Sequence, residues 1–125
     1  MSKQSFAAST GAPPVGPYSP AIGAGDLVFL SGQIALDDAG NVAGATAAEQ
    51  TRQALDNLVA LLTAAGLTTD AVVKTTIFLT DMADFGAVNE VYAGYFAAPF
   101  PARSTVAVAA LPKGVLVEIE ALARR

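Results

Sequence analysis

Apolar residues recur along the chain at two spacings, one typical of β-strands and one typical of α-helices. Alternating or β-branched runs predict six strands, over residues 3–10, 21–24, 27–30, 71–80, 103–111 and 115–122. Apolar residues at helical spacing predict two helices, one over residues 46–66 and one over residues 81–96. The order is strand, strand, strand, helix, strand, helix, strand, strand, which is typical of the α+β class.

Local signals set the ends of these helices. Thr46 and Glu49 form a capping box, so the first helix begins there, and Gly66 is placed to end it. Asp81 is the expected N-cap of the second helix, with Asp84 in its first turn. We therefore expect one domain over residues 1–125, with a mostly antiparallel sheet and both helices on one face.

The other face of the sheet is expected to carry the polar groups. We predict that it holds Arg103, Thr105, Glu118 and Glu120 among apolar residues, with no third helix to cover it. Apolar residues make up 53% of the chain and charged residues 14%, which is few charges for the surface of a monomer. Copies of the same chain are therefore expected to cover this face.

Charge and composition exclude several kinds of protein. The net charge is −4 and there is no run of basic residues, so binding to nucleic acid or to an anionic membrane is disfavoured. No apolar run approaches the roughly 18 residues of a membrane span, and the N-terminus lacks the apolar core of a signal peptide. We expect a cytoplasmic protein.

The chain contains neither histidine nor cysteine. Disulfides, a Ser-His-Asp triad, a histidine-ligated zinc and thiolate chemistry are therefore impossible. Any catalysis must use arginine, carboxylates, tyrosine, lysine, hydroxyls, backbone groups and water.

Arg103 is a charge in a stretch that otherwise resembles buried strand. A guanidinium stays charged, so it needs an anion or water. One interpretation is an edge-strand arginine paired with a surface carboxylate. The other is that the guanidinium binds a small carboxylate, because its fixed N–H donors match the two carboxylate oxygens.

Other polar residues have a structural and a functional interpretation. The proline-rich loop at residues 11–20 holds Tyr18 at a fixed place, either to pack on the body or to line a site. Gly32 allows a bend in the strand or close approach of a ligand. Asn89 lies beside an apolar helix stripe, and Glu118 with Glu120 would ordinarily be a solvated strand face.

Short motifs of one pattern occur along nearly the whole chain. They are Gly16-Pro17-Tyr18-Ser19, Ser31-Gly32-Gln33, Asn57-Leu58, Asn89, Tyr92, Tyr95-Phe96, Phe100-Pro101-Ala102-Arg103-Ser104, Leu111-Pro112 and Glu118-Ile119-Glu120-Ala121. The most specific part is Pro-Ala-Arg-Ser followed by Glu-Ile-Glu-Ala. With these motifs the chain resembles the RidA (YjgF) family of imine and enamine deaminases.

This resemblance implies a chorismate-mutase-like fold and a homotrimer with a central barrel and clefts between subunits. The implied activity is hydrolysis of 2-imino acids, such as 2-iminopropanoate from 2-aminoacrylate, to 2-oxo acids and ammonia. The implied catalytic residues are Arg103, which binds the substrate carboxylate, Glu118, which holds the attacking water, and Tyr18, which lines the cleft. The cleft is also lined by Ser31 with Gly32 and by Asn89, and the backbone near Thr105 contacts the ligand. No metal or cofactor is implied.

Two positions depart from the family pattern. Thr105 stands where cysteine is frequent, and Pro20 where glutamine is common. The resemblance implies that the backbone acts at position 105, so Thr105 is not expected to abolish activity. Either departure, at Thr105 or at Pro20, is expected to affect substrate preference.

Three alternatives remain open at the level of sequence. A trimer of the same fold could bind 2-oxo acids without catalysis, which would need Arg103 but not Glu118. The endoribonuclease role ascribed to some family members is disfavoured by the acidic balance and the absence of histidine. A purely structural interpretation makes Arg103 and Glu118 an interface salt bridge.

Overall fold

The structure, a computed structural model, describes residues 2–125. The predicted order of elements is confirmed, and their bounds are β1 Gln4–Phe6, β2 Ala21–Ala24, β3 Leu27–Gln33, α1 Ala47–Ala64, β4 Val72–Leu79, α2 Phe85–Ala93, β5 Ala102–Ala107 and β6 Val117–Arg124. Three short 3₁₀ turns lie between them, at Thr69–Ala71, Met82–Asp84 and Pro112–Gly114.

The first helix has the ends that the sequence predicts. The Glu49 amide donates to Thr46 Oγ1 at 3.2 Å, and the Glu49 carboxylate accepts from the Thr46 amide at 3.2 Å, which completes the capping box. At the other end, Gly66 has φ of +76°, which glycine adopts without strain.

The predicted start of the second helix was only partly right. Asp81 accepts a hydrogen bond from the Ala83 amide, but it caps the 3₁₀ turn Met82–Asp84. α2 begins after this turn, at Phe85.

The six strands form one sheet in the order β1-β2-β3-β6-β4-β5. Four of the five neighbouring pairs are antiparallel, and β5 is parallel to β4, because α2 carries the chain back between them. The α+β class and the mostly antiparallel sheet are therefore confirmed.

The core lies between the sheet and the two helices. The buried side chains of α1 include Leu55, Leu58 and Leu62, and they face Ile77 of β4 and Ile119 of β6. Burial of each such side chain contributes about 1.5–3 kcal/mol before entropy is counted. The helices therefore bury the central strands β4 and β6 on this face of the sheet.

The prediction that Arg103, Thr105, Glu118 and Glu120 share one face was wrong. β5 lies beside β4 with Arg103 opposite Thr75 and Thr105 opposite Ile77, and those two partners are buried on the helix side. Directly opposed residues project to the same face, so Arg103 and Thr105 lie on the helix side. Glu118 and Glu120 lie on the other side, because Val117 and Ile119 between them point into the core.

Among residues 2–125, no helix is both long enough and apolar enough to cross a membrane. The same residues contain no group of three or more carboxylates that could hold a metal ion.

Candidate functional site

A cavity of about 710 Å³ opens at the end of β3. Four of the residues predicted for the site line it, namely Tyr18, Ser31, Gly32 and Glu118. They come from the proline-rich loop, from the last residues of β3 and from β6, so parts of the chain that are distant in sequence meet here. Glu120 and Lys113 also line this cavity, which is hereafter the Glu118 cavity.

Glu118 lies directly over the backbone of Gly32. A Cβ atom added at Gly32 would be 2.8 Å from Glu118 Cδ and 3.0 Å from Glu118 Oε2, which is closer than real Cβ contacts. φ at Gly32 is not in the left-handed region, so glycine matters here for space rather than for backbone conformation. The absent side chain is therefore what lets the Glu118 carboxylate occupy this position.

The surroundings of Glu118 favour its neutral form. Partial burial raises the pKa of the Glu118 carboxyl above its usual value of 4.5, and the nearby charge of Glu120 raises it further. A carboxylate whose proton affinity is increased in this way is a better base than a solvated one. The cavity therefore contains one group suited to accept a proton from water.

The proline-rich loop is fixed to the end of β3 by Ser31. The Ser31 hydroxyl donates to the carbonyl of Ser19 at 2.7 Å, and the Ser31 amide donates to the carbonyl of Pro20 at 2.8 Å. Tyr18, one residue before this anchor, keeps 51% of its surface exposed at the cavity wall. Its phenol is therefore available to a ligand or to a second chain.

Arg103 occupies a different part of the molecule, beside α2. Its guanidinium carbon lies 5.0 Å from the centroid of the Tyr92 ring and 5.6 Å from that of Phe85. The Tyr92 hydroxyl lies 2.7 Å from Thr75 Oγ1 of β4, and this hydrogen bond fixes the ring. Asn89 is half-buried and lies between Phe85 and Tyr92 on the same helix stripe, at spacings of four and three residues.

The predicted site is thus divided into two halves. Tyr18, Ser31, Gly32 and Glu118 line the Glu118 cavity. Arg103 and Thr105 lie on the helix side of β5, and Asn89 lies on the stripe of α2 whose Phe85 and Tyr92 rings contact Arg103. The sheet lies between Arg103 and Glu118, since they project from opposite faces. A site that uses both groups therefore needs two chains, and an ion pair between them within one chain is excluded.

Sequence reasoning missed the two rings that hold Arg103. The helical spacing of Phe85 and Tyr92 in α2 indicates only an apolar stripe, and Tyr92 is indeed buried. A strand-helix-strand unit favours a parallel pair of strands with the helix packed over both. That rule, applied to β4, α2 and β5, would have placed α2 over Arg103.

The fold and these residues define a class of small α+β proteins. Its members combine a six-stranded sheet, two helices on one face, an arginine on one edge strand and a glutamate on the last strand. The family model described as Endoribonuclease L-PSP matches residues 9–125.

Individual relatives agree with this assignment. The chain is 48% identical over 110 residues to a protein from Mus musculus named 2-iminobutanoate/2-iminopropanoate deaminase, which covers 87% of this chain and 82% of the relative. The structure of E. coli TdcF with bound serine matches with a TM-score of 0.92 at 40% identity, over 98% of each chain. That of RidA from Psychrobacter sp. matches with a TM-score of 0.93 at 37% identity, over 98% and 99%. The chain belongs to the RidA/YjgF/L-PSP family.

Proposed function

We propose that this protein hydrolyses 2-imino acids and their enamine tautomers to 2-oxo acids and ammonia, and so removes reactive intermediates. The observation that carries the proposal is the Glu118 carboxylate, half-buried over Gly32 with a raised pKa and adjoining Tyr18 and Ser31. The deaminase name of the mouse relative, at 48% identity, supports the same reaction.

The substrate carries a carboxylate and a protonated C=N group. Arg103 is suited to the carboxylate because its guanidinium presents two parallel donors. The guanidinium lies against the Phe85 and Tyr92 rings, and Arg103 as a whole is exposed. Asn89, on the same stripe of α2, supplies an amide at the side of the bound ligand.

Glu118 is suited to activate water. In the proposed step, water oxygen attacks the imine carbon, the C=N π electrons move to nitrogen, and Glu118 takes a proton from the water. Glu118 then returns this proton to the amine nitrogen. As the C–N bond breaks and the C=O bond forms, Glu118 takes the hydroxyl proton and passes it to the departing ammonia, which leaves as ammonium. The carboxylate is regenerated, so neither a metal nor a redox cofactor is needed.

We propose a homotrimer, because the two halves of the site need different chains. The sheet face opposite the helices exposes apolar side chains in the described chain, including Phe29 at 48%, Leu27 and Val106. A patch of this kind on a sheet is a common contact between copies. In such an assembly Arg103 of one chain faces the Glu118 cavity of the next, with the sheets forming a central barrel.

Two alternatives make different predictions. A binding protein for 2-oxo acids would take up ligand but release no ammonia, and Glu118 would be dispensable. An endoribonuclease, as in the description of the family model, would cleave RNA. The net charge of −4 disfavours the phosphate contacts that RNA binding requires.

Ammonia release from imines made in situ by an amino-acid oxidase tests the proposal. We expect turnover by the wild type and, for Glu118→Gln, a loss of about 10²-fold or more in kcat with 2-oxo acid affinity largely retained. Arg103→Ala should lose about 1.5–3.5 decades in kcat/KM. Arg103→Lys should recover little of this loss, because an ammonium cannot reproduce the bidentate geometry of the guanidinium. Wild-type protein that binds 2-oxo acid without releasing ammonia would contradict the deaminase proposal.

A further inference from the structure

Two walls of the Glu118 cavity come from parts of the chain that are remote in sequence. Residues 11–15 of the proline-rich loop form one wall. Pro112 and Lys113, in the 3₁₀ turn before β6, form another. The width of the cavity between them depends on what holds the two walls in place.

A single turn at residues 37–41, hereafter the linking turn, is hydrogen-bonded to both walls. The Gly11 amide of the proline-rich loop donates to Asp38 Oδ1 at 2.8 Å. On the other side, Lys113 Nζ donates to the Gly40 carbonyl at 2.9 Å. These two hydrogen bonds therefore connect the two walls through the linking turn.

Asp37 makes the linking turn rigid. Its Oδ1 atom accepts from the Ala39 amide at 3.0 Å and from the Asn41 amide at 2.9 Å. The Asn41 carbonyl in turn accepts from the Asp37 amide at 2.9 Å. Hydrogen bonds to a carboxylate are stronger than those between neutral groups. A turn held in this way transmits the position of one wall to the other.

Lys113 has a backbone conformation that residues other than glycine usually avoid. Its φ of +56° lies in the left-handed region, and among residues 2–125 no other non-glycine residue has a positive φ. This conformation costs energy for lysine and persists where surrounding contacts impose it, whereas glycine adopts it freely. The Lys113 side chain must therefore contribute something that glycine cannot, and the contact it makes is the hydrogen bond to Gly40.

The side chain of the substrate is the group that extends into the Glu118 cavity. The imine carbon carries a nitrogen, a carboxylate and a side chain, and in the proposed assembly Arg103 of a neighbouring chain holds the carboxylate. At about 710 Å³ the cavity is in the range, about 300–1,000 Å³, of pockets that hold drug-sized ligands. 2-Iminopropanoate fills only a small part of it, so the spacing of the walls decides which side chains are held.

We propose that Asp38 and Lys113 are positioning residues that set the size of the substrate side chain. Through the linking turn they keep the two walls close enough to contact a short side chain and too close for a long, branched one. Loss of either hydrogen bond lets the walls separate, so a short side chain loses contacts and a branched one gains room. This inference rests on the proposed function and adds to it determinants of substrate size outside the groups that touch the reacting atoms.

Lys113→Met and Asp38→Ala break the connection at its two ends. Methionine keeps the length of the side chain and removes the donor, and alanine removes the acceptor of the Gly11 amide. By calorimetry, both variants should bind pyruvate about 3- to 10-fold more weakly and 4-methyl-2-oxopentanoate no more weakly than the wild type. The ratio of kcat/KM for the corresponding imines, made in situ from alanine and leucine by an amino-acid oxidase, should change by a similar factor.

The two variants change the net charge in opposite directions, which separates positioning from electrostatics. An electrostatic role would weaken the binding of both anions in Lys113→Met and strengthen it in Asp38→Ala, with their affinity ratio unchanged. Positioning predicts the same change of ratio in both variants. Lys3→Met and Asp70→Ala, at exposed positions outside the cavity, are the matched controls and should keep the wild-type ratio.

The outcomes distinguish failure of this inference from failure of the function. A wild-type affinity ratio in either variant, with ammonia still released by the wild type, overturns the positioning role alone. A lower melting temperature with an unchanged ratio also overturns it, because the hydrogen bonds would then serve stability only. Wild-type protein that neither binds pyruvate nor releases ammonia overturns both. If Lys113→Met does not fold, Lys113→Asn, which tolerates left-handed backbone but is too short to reach Gly40, must show the same change of ratio for the inference to stand.

Discussion

At the scale of single residues, burial and the charge of Glu120 raise the pKa of Glu118 above 4.5. The proposed base must be ionised, so activity should fall on the acid side with a midpoint above 4.5. The contribution of Glu118 to folding stability depends on pH in the opposite direction to its contribution to activity. For a carboxyl whose pKa is higher in the folded chain, the contribution to stability is greatest at low pH and declines as pH rises through that pKa.

Glu120→Gln tests this electrostatic effect. Removing the neighbouring charge lowers the pKa of Glu118, so the acid limb of the kcat/KM profile should move to lower pH. The plateau at higher pH should change little. Asp70→Asn, at an exposed carboxylate in the turn before β4, removes one charge elsewhere and serves as the control. An acid limb that stays in place in Glu120→Gln would show that Glu120 does not influence the base.

Gly32→Ala tests the placement of the Glu118 carboxylate. The new methyl group would lie 2.8 Å from Glu118 Cδ, so the side chain must shift. Displacement of a reacting group by a fraction of an ångström to 1 Å costs about 10- to 100-fold in rate, and we expect kcat/KM to fall accordingly. The melting temperature should change little, because the flexible glutamate gives way rather than the backbone.

Gly94→Ala is the matched control for this change. Its added Cβ would make only an ordinary contact at 3.5 Å with the Val91 carbonyl, remote from the Glu118 cavity. It should keep wild-type activity. Full activity of Gly32→Ala as well would mean that Glu118 does not act from the position seen here.

At the scale of elements, α1 supports the site from a distance. Its Asn57 amide donates to the carbonyls of Ile34 at 3.1 Å and Leu36 at 3.0 Å, which fixes the chain just after β3. Its Gln50 side chain accepts from the Leu116 amide at 2.7 Å, which fixes the entry to β6. The strand ends that carry Gly32 and Glu118 are therefore both tied to one helix.

The capping box of α1 should contribute to stability and not to catalysis. Thr46→Ala removes the side-chain acceptor of the Glu49 amide and should lower the free energy of unfolding by about 1 kcal/mol. Denaturant titration measures this, and kcat should stay near the wild-type value. Thr63→Ala, at an exposed position late in the same helix, is the control and should be neutral or slightly stabilising. Equal stability of the Thr46 and Thr63 variants would contradict the capping role.

At the scale of the whole molecule, the two halves of the site are on opposite faces of one sheet. Arg103 lies with α2, and Glu118 faces the cavity at the end of β3. The proposed reaction therefore depends on assembly, and isolated chains should be inactive. Light scattering should give the mass of three chains at micromolar concentration.

Mixing two inactive variants tests the division of the site between chains. Arg103→Ala keeps a working Glu118, and Glu118→Gln keeps a working Arg103. In trimers co-expressed at equal amounts, each cleft has a one-in-four chance of combining the two intact groups, so about a quarter of the wild-type activity should return. The double variant mixed with either single variant should restore none. Mixed trimers that form and stay inactive would exclude a shared cleft.

The sequence by itself determined the elements and their chemistry. Alternation, helical spacing and the capping box of Thr46 and Glu49 are local signals, and the structure confirms the order of strands and helices that they predict. The absence of histidine and cysteine restricted the candidate groups before any fold was known. The motifs around Arg103 and Glu118 predicted the family that the comparisons confirm.

Only the tertiary structure decided which residues meet. Alternation along β5 predicts that Arg103 and Thr105 share a face, but not which face, because that depends on the register with β4 and on the path of α2. The space over Gly32 exists only because β3 and β6 bring it against Glu118, and no local pattern encodes that contact. The Thr105 hydroxyl has no hydrogen-bond partner among residues 2–125. This too is a property of packing, since the pairing of a polar group depends on neighbours that are distant in sequence.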